Sequence, residues 1–154
     1  MNWQKYGKLV EGCSNFLRET APLCNDPVKV SEIMRPLILQ HEFQEGIYVI
    51  ALDARMQAID APHLVFLGAL DRSIISPREI IGYLLGVHAI CFVMVHNHPS
   101  GDVTPSGQDK TVTDLVYRAG KTVDIQLVDH VIVSKFSYHS FRANGFFEQY
   151  KKEK

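Results

Sequence analysis

Residues 89–109 read AICFVMVHNHPSGDVTPSGQD, and the layering of the whole domain follows from them. Ala89 to Val95 is apolar at every position, the pattern of a central strand covered on both faces. His96-Asn97-His98 continues the strand, and Pro99 and Gly101 end it and turn the chain. Ser106-Gly107-Gln108-Asp109 resembles a capping box with Asp in place of the usual Glu. It opens a predicted helix over Gln108 to Ala119 that stops at Gly120.

Outward from this unit, strands and helices alternate. Ile47 to Leu52 is a short apolar run that suits a buried strand, and Asp53-Ala54-Arg55 is turn-like. Met56 to Leu67 reads as a second strand with a bend at Pro62. Ser76 caps a helix with Pro77 at its first position and Ile80, Ile81, Leu84 and Leu85 facing inward. Two short strands are predicted after the 108–119 helix, Val123 to Val128 and Val131 to Val133. Upstream, Asp26 caps and Pro27 starts another short helix. Trp3, Tyr6, Val10, Cys13 and Leu17 fall on one face of an N-terminal helix, weakened by Gly7 and Gly12. The class is α/β, layered around one sheet.

Composition narrows the function. With 154 residues, 46% of them hydrophobic, the chain is the size of one domain. Sixteen basic residues face seventeen acidic ones, for a net charge of −1. That balance argues against direct binding of duplex nucleic acid, which needs several Lys/Arg contacts to phosphate. No apolar run has the length of a membrane span, and the N-terminus lacks a signal-peptide layout. Cys13, Cys24 and Cys91 are an odd set without CxxC spacing. They read as free thiols of a cytoplasmic protein, Cys91 as a small core residue.

The chemistry lies in the loop after the buried strand. Residues two apart on an extended chain point to one side, so both imidazoles, His96 and His98, can converge on one ion. Asp109, in the first turn of the next helix, can swing its carboxylate back toward them. Asp102 competes for that role, being only four residues after His98. On a plainer reading Asp109 only stabilises the helix start. Two imidazoles and one carboxylate suit Zn²⁺ and leave a fourth position for water, the pattern of a catalytic site. Water held there loses several pKa units and becomes a nucleophile near neutral pH.

At His96, His98, Pro99, Ser106 and Asp109 the sequence resembles a JAB/MPN domain carrying the JAMM metalloprotease motif, in its RadC-like branch. Gly68, Pro77-Arg78-Glu79 and Asp129-His130 extend the resemblance to roughly residues 28–145. It implies a single layered α-β-α domain with a mixed sheet, of the cytidine-deaminase-like type. The division is then an N-terminal helix and linker (1–27), the RadC-like domain (28–150) and a disordered basic tail (151–154). The PCxxC segment of zinc deaminases is absent.

The resemblance also implies an upstream glutamate eight residues before the Asp or Asn that ends the first strand. Glu45 stands eight before Asp53, and Glu42 does not fit. Implied roles are His96, His98 and Asp109 as zinc ligands, Glu45 as general base and Ser106 as donor to the oxyanion. The implied activity is hydrolysis of an amide bond in a peptide, isopeptide or small amide substrate. The alternative is a non-enzymatic module associated with protein or DNA in repair, recombination or mobile-element biology. Two departures stand out: Ser76 occupies a position where the branch often has His, and the helix-hairpin-helix module of longer members has no counterpart before Glu45. Neither the substrate nor the oligomeric state is encoded in any recognisable segment.

Overall fold

Asp26 accepts a hydrogen bond from the backbone N–H of Val28 at 2.8 Å and caps α1, Pro27–Ile38. The computed structural model describes residues 21–41, 43–68 and 76–152. The N-terminal helix expected around Trp3 to Leu17, with Cys13, therefore lies outside the described residues, as do Glu42 and residues 69–75 and 153–154. After α1 and a 3-10 turn at Leu39–His41 come β1 (Glu45–Leu52), β2 (His63–Gly68), α2 (Pro77–Gly86) and β3 (Cys91–His96). Then follow α3 (Gly107–Thr122), β4 (Gln126–Val133), β5 (Tyr138–Ser140) and a 3-10 helix over Phe146–Lys152. Lys151 and Lys152, assigned above to a disordered tail, close that last helix.

The five strands form one mixed sheet in the order β2-β1-β3-β4-β5. β3 and β4 are parallel and joined through α3; the other neighbours are antiparallel. Period-two alternation sends the strand residues into two cores. Tyr48, Ile50 and Leu52 of β1 and Cys91, Val93 and Val95 of β3 pack with Val30, Met34 and Ile38 of α1. Ile47, Val49, Ala51, Phe92 and Met94 point the other way, against Ile80 and Leu84 of α2 and Val116 of α3. Each of these large apolar side chains contributes about 1.5–3 kcal/mol on burial. The result is the expected α/β architecture, helix layers on both faces of a mixed sheet. Among the described residues no helix is long and apolar enough to cross a membrane.

Four local expectations change. Residues 56–62 do not belong to the second strand: Asp53 Oδ1 accepts from Arg55 and Gln57 N–H, Met56 takes φ 65, Ala58 makes only an isolated bridge to Leu52, and the β1–β2 ladder runs from His63. The two short strands expected at 123–128 and 131–133 are one strand, β4, with a register shift opposite Phe92 and Val93. Asp129 and His130, left outside both expected strands, lie within β4 and are buried. Asp129 accepts from Ser140 Oγ and from Arg142 N–H, so its charge is satisfied inside the sheet. Strand β5 had no counterpart in the sequence reading. Helix α3 runs past Gly120 to Thr122, and Leu85, expected inside, is 52% exposed.

Candidate metal centre

His96 is the last residue of β3 and pairs with Ile47 of β1. Like Met94 it faces the α2/α3 side of the sheet, where it is fully buried. Asn97 points away, and His98 returns to the same side. The spacing of two therefore delivers what the extended chain requires: His96 Nε2 and His98 Nε2 lie 2.9 Å apart. Asp109 completes the group, with Oδ1 3.2 Å from His96 Nε2 and Oδ2 3.3 Å from His98 Nε2. Among the described residues this is the group of His, Cys, Asp and Glu side chains able to hold a metal ion.

The helix start and the donor set turn out to be one arrangement. Ser106 Oγ accepts from the Asp109 N–H at 3.1 Å, and Asp109 Oδ2 accepts from the Ser106 N–H at 2.7 Å, a complete capping box. The box holds the carboxylate at the N-terminus of α3 while its oxygens face both imidazoles. Asp102 is not part of the group. Its carboxylate accepts from the Thr104 N–H, and its backbone carbonyl lies 2.6 Å from His98 Nδ1. A carbonyl only accepts, so His98 carries its hydrogen on Nδ1 and turns a bare Nε2 toward His96 and Asp109 when neutral.

Such a donor set suits a divalent cation. Two imidazole nitrogens and a carboxylate around one point concentrate negative potential. Separations of 2.9–3.3 Å match the edge of about 3.3 Å of a tetrahedron with zinc bonds of 2.0–2.1 Å. Protonation follows the same field. Burial pushes the Asp109 carboxyl upward, but hydrogen bonds from His96, His98 and Ser106 outweigh it and hold the group far below the usual carboxylate range. His98 is raised above an ordinary histidine by its bond to Asp109, against the opposing effect of burial, with help from the Asp102 carbonyl and the charge of Glu45.

Glu45 opens β1, opposite Gly68 of β2. Two residues before Ile47, it lies on the same sheet face as His96. Ser106 is exposed at the mouth of the group. The five residues singled out in the sequence thus meet at one end of the sheet.

Three residues beside the group had no role in the sequence reading. Asn97, between the two histidines, is buried and uses its amide on the β1 entry: Oδ1 accepts from Gly46 N–H at 2.8 Å and Nδ2 donates to the Gln44 carbonyl at 2.9 Å. Behind His96, His130 Nε2 lies 2.7 Å from His96 Nδ1, and His130 Nδ1 lies 2.6 Å from Thr113 Oγ1. Complete burial drives His130 well below the ordinary histidine pKa. The signals available were a polar pair inside an apolar strand and a threonine one helical turn after Asp109.

A cleft of about 490 Å³ opens beside His98, with Phe43, Pro99, Ser100 and Phe136 on its walls. Phe43 and Phe136 are each 87% exposed.

Residues 24–146 match the family description RadC-like JAB domain. A UPF0758 protein of Thermotoga maritima is 42% identical over 102 residues, 66% of this chain and 46% of that protein. Another, from Chlorobium chlorochromatii, is 40% identical over 104 residues, 68% of this chain and 46% of its own. A third, from Symbiobacterium thermophilum, is 38% identical over 123 residues, 80% and 51% of the two chains. The chain spans about half the length of the curated relatives it matches. With most of its length matched and the motif residues gathered at the end of β3, this chain belongs to the RadC-like JAB domain family.

Proposed function

We propose that the chain is a zinc-dependent hydrolase of an amide bond in a peptide, an isopeptide or a small amide. The supporting observation is the convergence of His96 Nε2, His98 Nε2 and both Asp109 oxygens, with Glu45 on the same sheet face. His96, His98 and Asp109 would hold the ion, which supplies Lewis acidity and a water acidic enough to lose a proton near neutral pH. Glu45 would take that proton as the water oxygen bonds to the amide carbon. It would return the proton to nitrogen as the C–N bond breaks, and the second water proton passes from the new carboxyl to the amine, so the products are a carboxylate and an ammonium. Ser106 Oγ already accepts from the Asp109 N–H, which leaves its own O–H to donate to the oxyanion. The cleft beside His98, with Phe43 and Phe136 on its walls, would seat an apolar side chain next to the cleaved bond.

The test is metal content of the purified protein, followed by turnover of peptide and isopeptide libraries before and after chelation. Stoichiometric zinc, loss of cleavage on chelation and a collapse in Glu45→Gln are expected. Protein that takes up no zinc, or cleavage untouched by Glu45→Gln, overturns the reading.

A further inference from the structure

We infer that His130 and Thr113 are positioning residues that fix which ring nitrogen of His96 faces the metal position; this rests on the reading of His96, His98 and Asp109 as ligands. One group behind the site has no choice of role. The backbone carbonyl of Asp109 can only accept, and Thr113 Oγ1 lies 2.5 Å from it. Threonine has a single hydroxyl hydrogen, and that hydrogen is committed to the carbonyl. Toward His130 Nδ1, 2.6 Å away, Thr113 must then accept. His130 carries its hydrogen on Nδ1, and its Nε2 is bare. Across 2.7 Å, His96 Nδ1 must donate to that nitrogen. His96 is left with a lone pair on Nε2, the atom that faces His98 and Asp109.

Reversing the direction sets Thr113 without a hydrogen for the Asp109 carbonyl and puts a hydrogen on the metal-facing nitrogen. Thr113, His130 and His96 are all 1% exposed or less, so a mismatched pair would be costly. Phe141 stacks on His130 at 4.6 Å with an interplanar angle of 14°, which holds the ring plane. The relay closes on itself. It starts at the Asp109 carbonyl and ends at a nitrogen 3.2 Å from the Asp109 carboxylate. One residue of α3 thus sets both a ligand and the orientation of its partner ligand, a coupling of outer partner to ligand common at histidine metal sites.

The test is zinc affinity of the chelator-stripped full chain, by competition with a chromogenic chelator, with Co²⁺ visible spectra as a second readout. His130→Phe keeps a ring against Phe141 but offers no acceptor, and zinc affinity is expected to fall about ten- to a hundred-fold. His130→Gln, whose side-chain carbonyl can accept from His96, is expected to recover most of that loss. Thr113→Val, nearly isosteric, is expected to weaken binding by a smaller factor and to add nothing to His130→Phe, because both act through one chain of bonds. Circular dichroism reports folding, and if His130→Phe does not fold, His130→Gln and Thr113→Val decide. Folded variants that bind zinc within about two-fold of the parent chain, while His98→Ala does not bind, overturn the relay and leave the ligand reading standing. A parent chain that binds no zinc overturns both.

Discussion

The Asn97 side-chain carbonyl accepts the Gly46 backbone N–H at 2.8 Å, while its amide donates to the Gln44 carbonyl at 2.9 Å. The residue between the histidines therefore grips the chain on either side of Glu45, so one side chain ties the His96–His98 loop to the proposed base. Asn97→Ala leaves two backbone groups to find other partners, at about 1–3 kcal/mol each where they stay buried. It should lower amide turnover by at least about ten-fold while zinc affinity changes little. Gly46→Ala should act in the same sense, since its Cβ would meet the Tyr48 ring at 2.9 Å and Asn97 Oδ1 at 3.4 Å. Turnover kinetics beside zinc titration separate the two effects. Equal losses in both would refute a role confined to Glu45.

Protons occupy the same atoms that would hold a metal, so the metal-free group carries a pH signature of its own. His98 is raised in the folded state, so its contribution is full below the ordinary 6.5 and lost as pH rises through the folded value. Asp109 is depressed, so its contribution is present above the ordinary 3.8 and lost as pH falls toward the folded value. Between these limits the apo group is held together by charge. Asp109→Asn removes both contributions, and its destabilisation should be larger at about pH 5 than at about pH 8. Urea midpoints of chelator-treated protein measure this; a penalty that grows toward pH 8 contradicts the assignment.

How far the sequence was legible depends on whether a residue's partner is near in the chain. The apolar run, the two-residue spacing of His96 and His98, and the caps at Asp26, Ser76 and Ser106 are local signals, and each appears close to where expected, though β3 starts at Cys91 rather than Ala89 and Ile90 is 56% exposed. For Asp109 the capping reading and the ligand reading were posed as rivals, and the structure makes them compatible, because the carboxylate that closes the capping box also faces both imidazoles. Glu45 was reached only through the family resemblance, since its neighbours in space, Gly68 of β2 and His98, are distant in the chain. Asp129 and His130 misled for the same reason. Their partners are Ser140, Arg142, Thr113 and His96, none of them visible from the strand itself.

The Ser106 side chain caps α3, and its proposed donation to the oxyanion has a readout separate from stability. Ser106→Ala removes the acceptor for the Asp109 N–H, which should cost about 1 kcal/mol of stability. Ser106→Thr keeps both the cap and a hydroxyl. If the hydroxyl also donates to the oxyanion, Ser106→Ala should lower turnover about a hundred-fold in zinc-loaded protein, and Ser106→Thr should restore much of it. Full turnover in folded, zinc-loaded Ser106→Ala would remove Ser106 from the chemistry and leave it a cap alone.

Gly120 was read as the stop of a helix, but α3 continues to Thr122 and the glycine answers a different need. Gly120 accepts from the Ile125 N–H at 2.9 Å as the chain turns into β4. A Cβ at Gly120 would collide with the Ile125 carbonyl oxygen and press on the buried Phe92 ring at 3.3 Å. In a helix interior Gly→Ala ordinarily stabilises by up to about 1 kcal/mol. Gly120→Ala should do the opposite and cost about 1–3 kcal/mol, because backbone rather than a flexible side chain must move. Gly82 of α2 is the control: nothing lies within 4 Å of its Cβ position, so Gly82→Ala should stabilise. Urea denaturation of both variants checks the pair. Opposite signs place the α3–β4 contact among the rigid supports of β4, on which His130 is mounted; the same sign for both would dismiss close approach as the reason for a glycine at this turn.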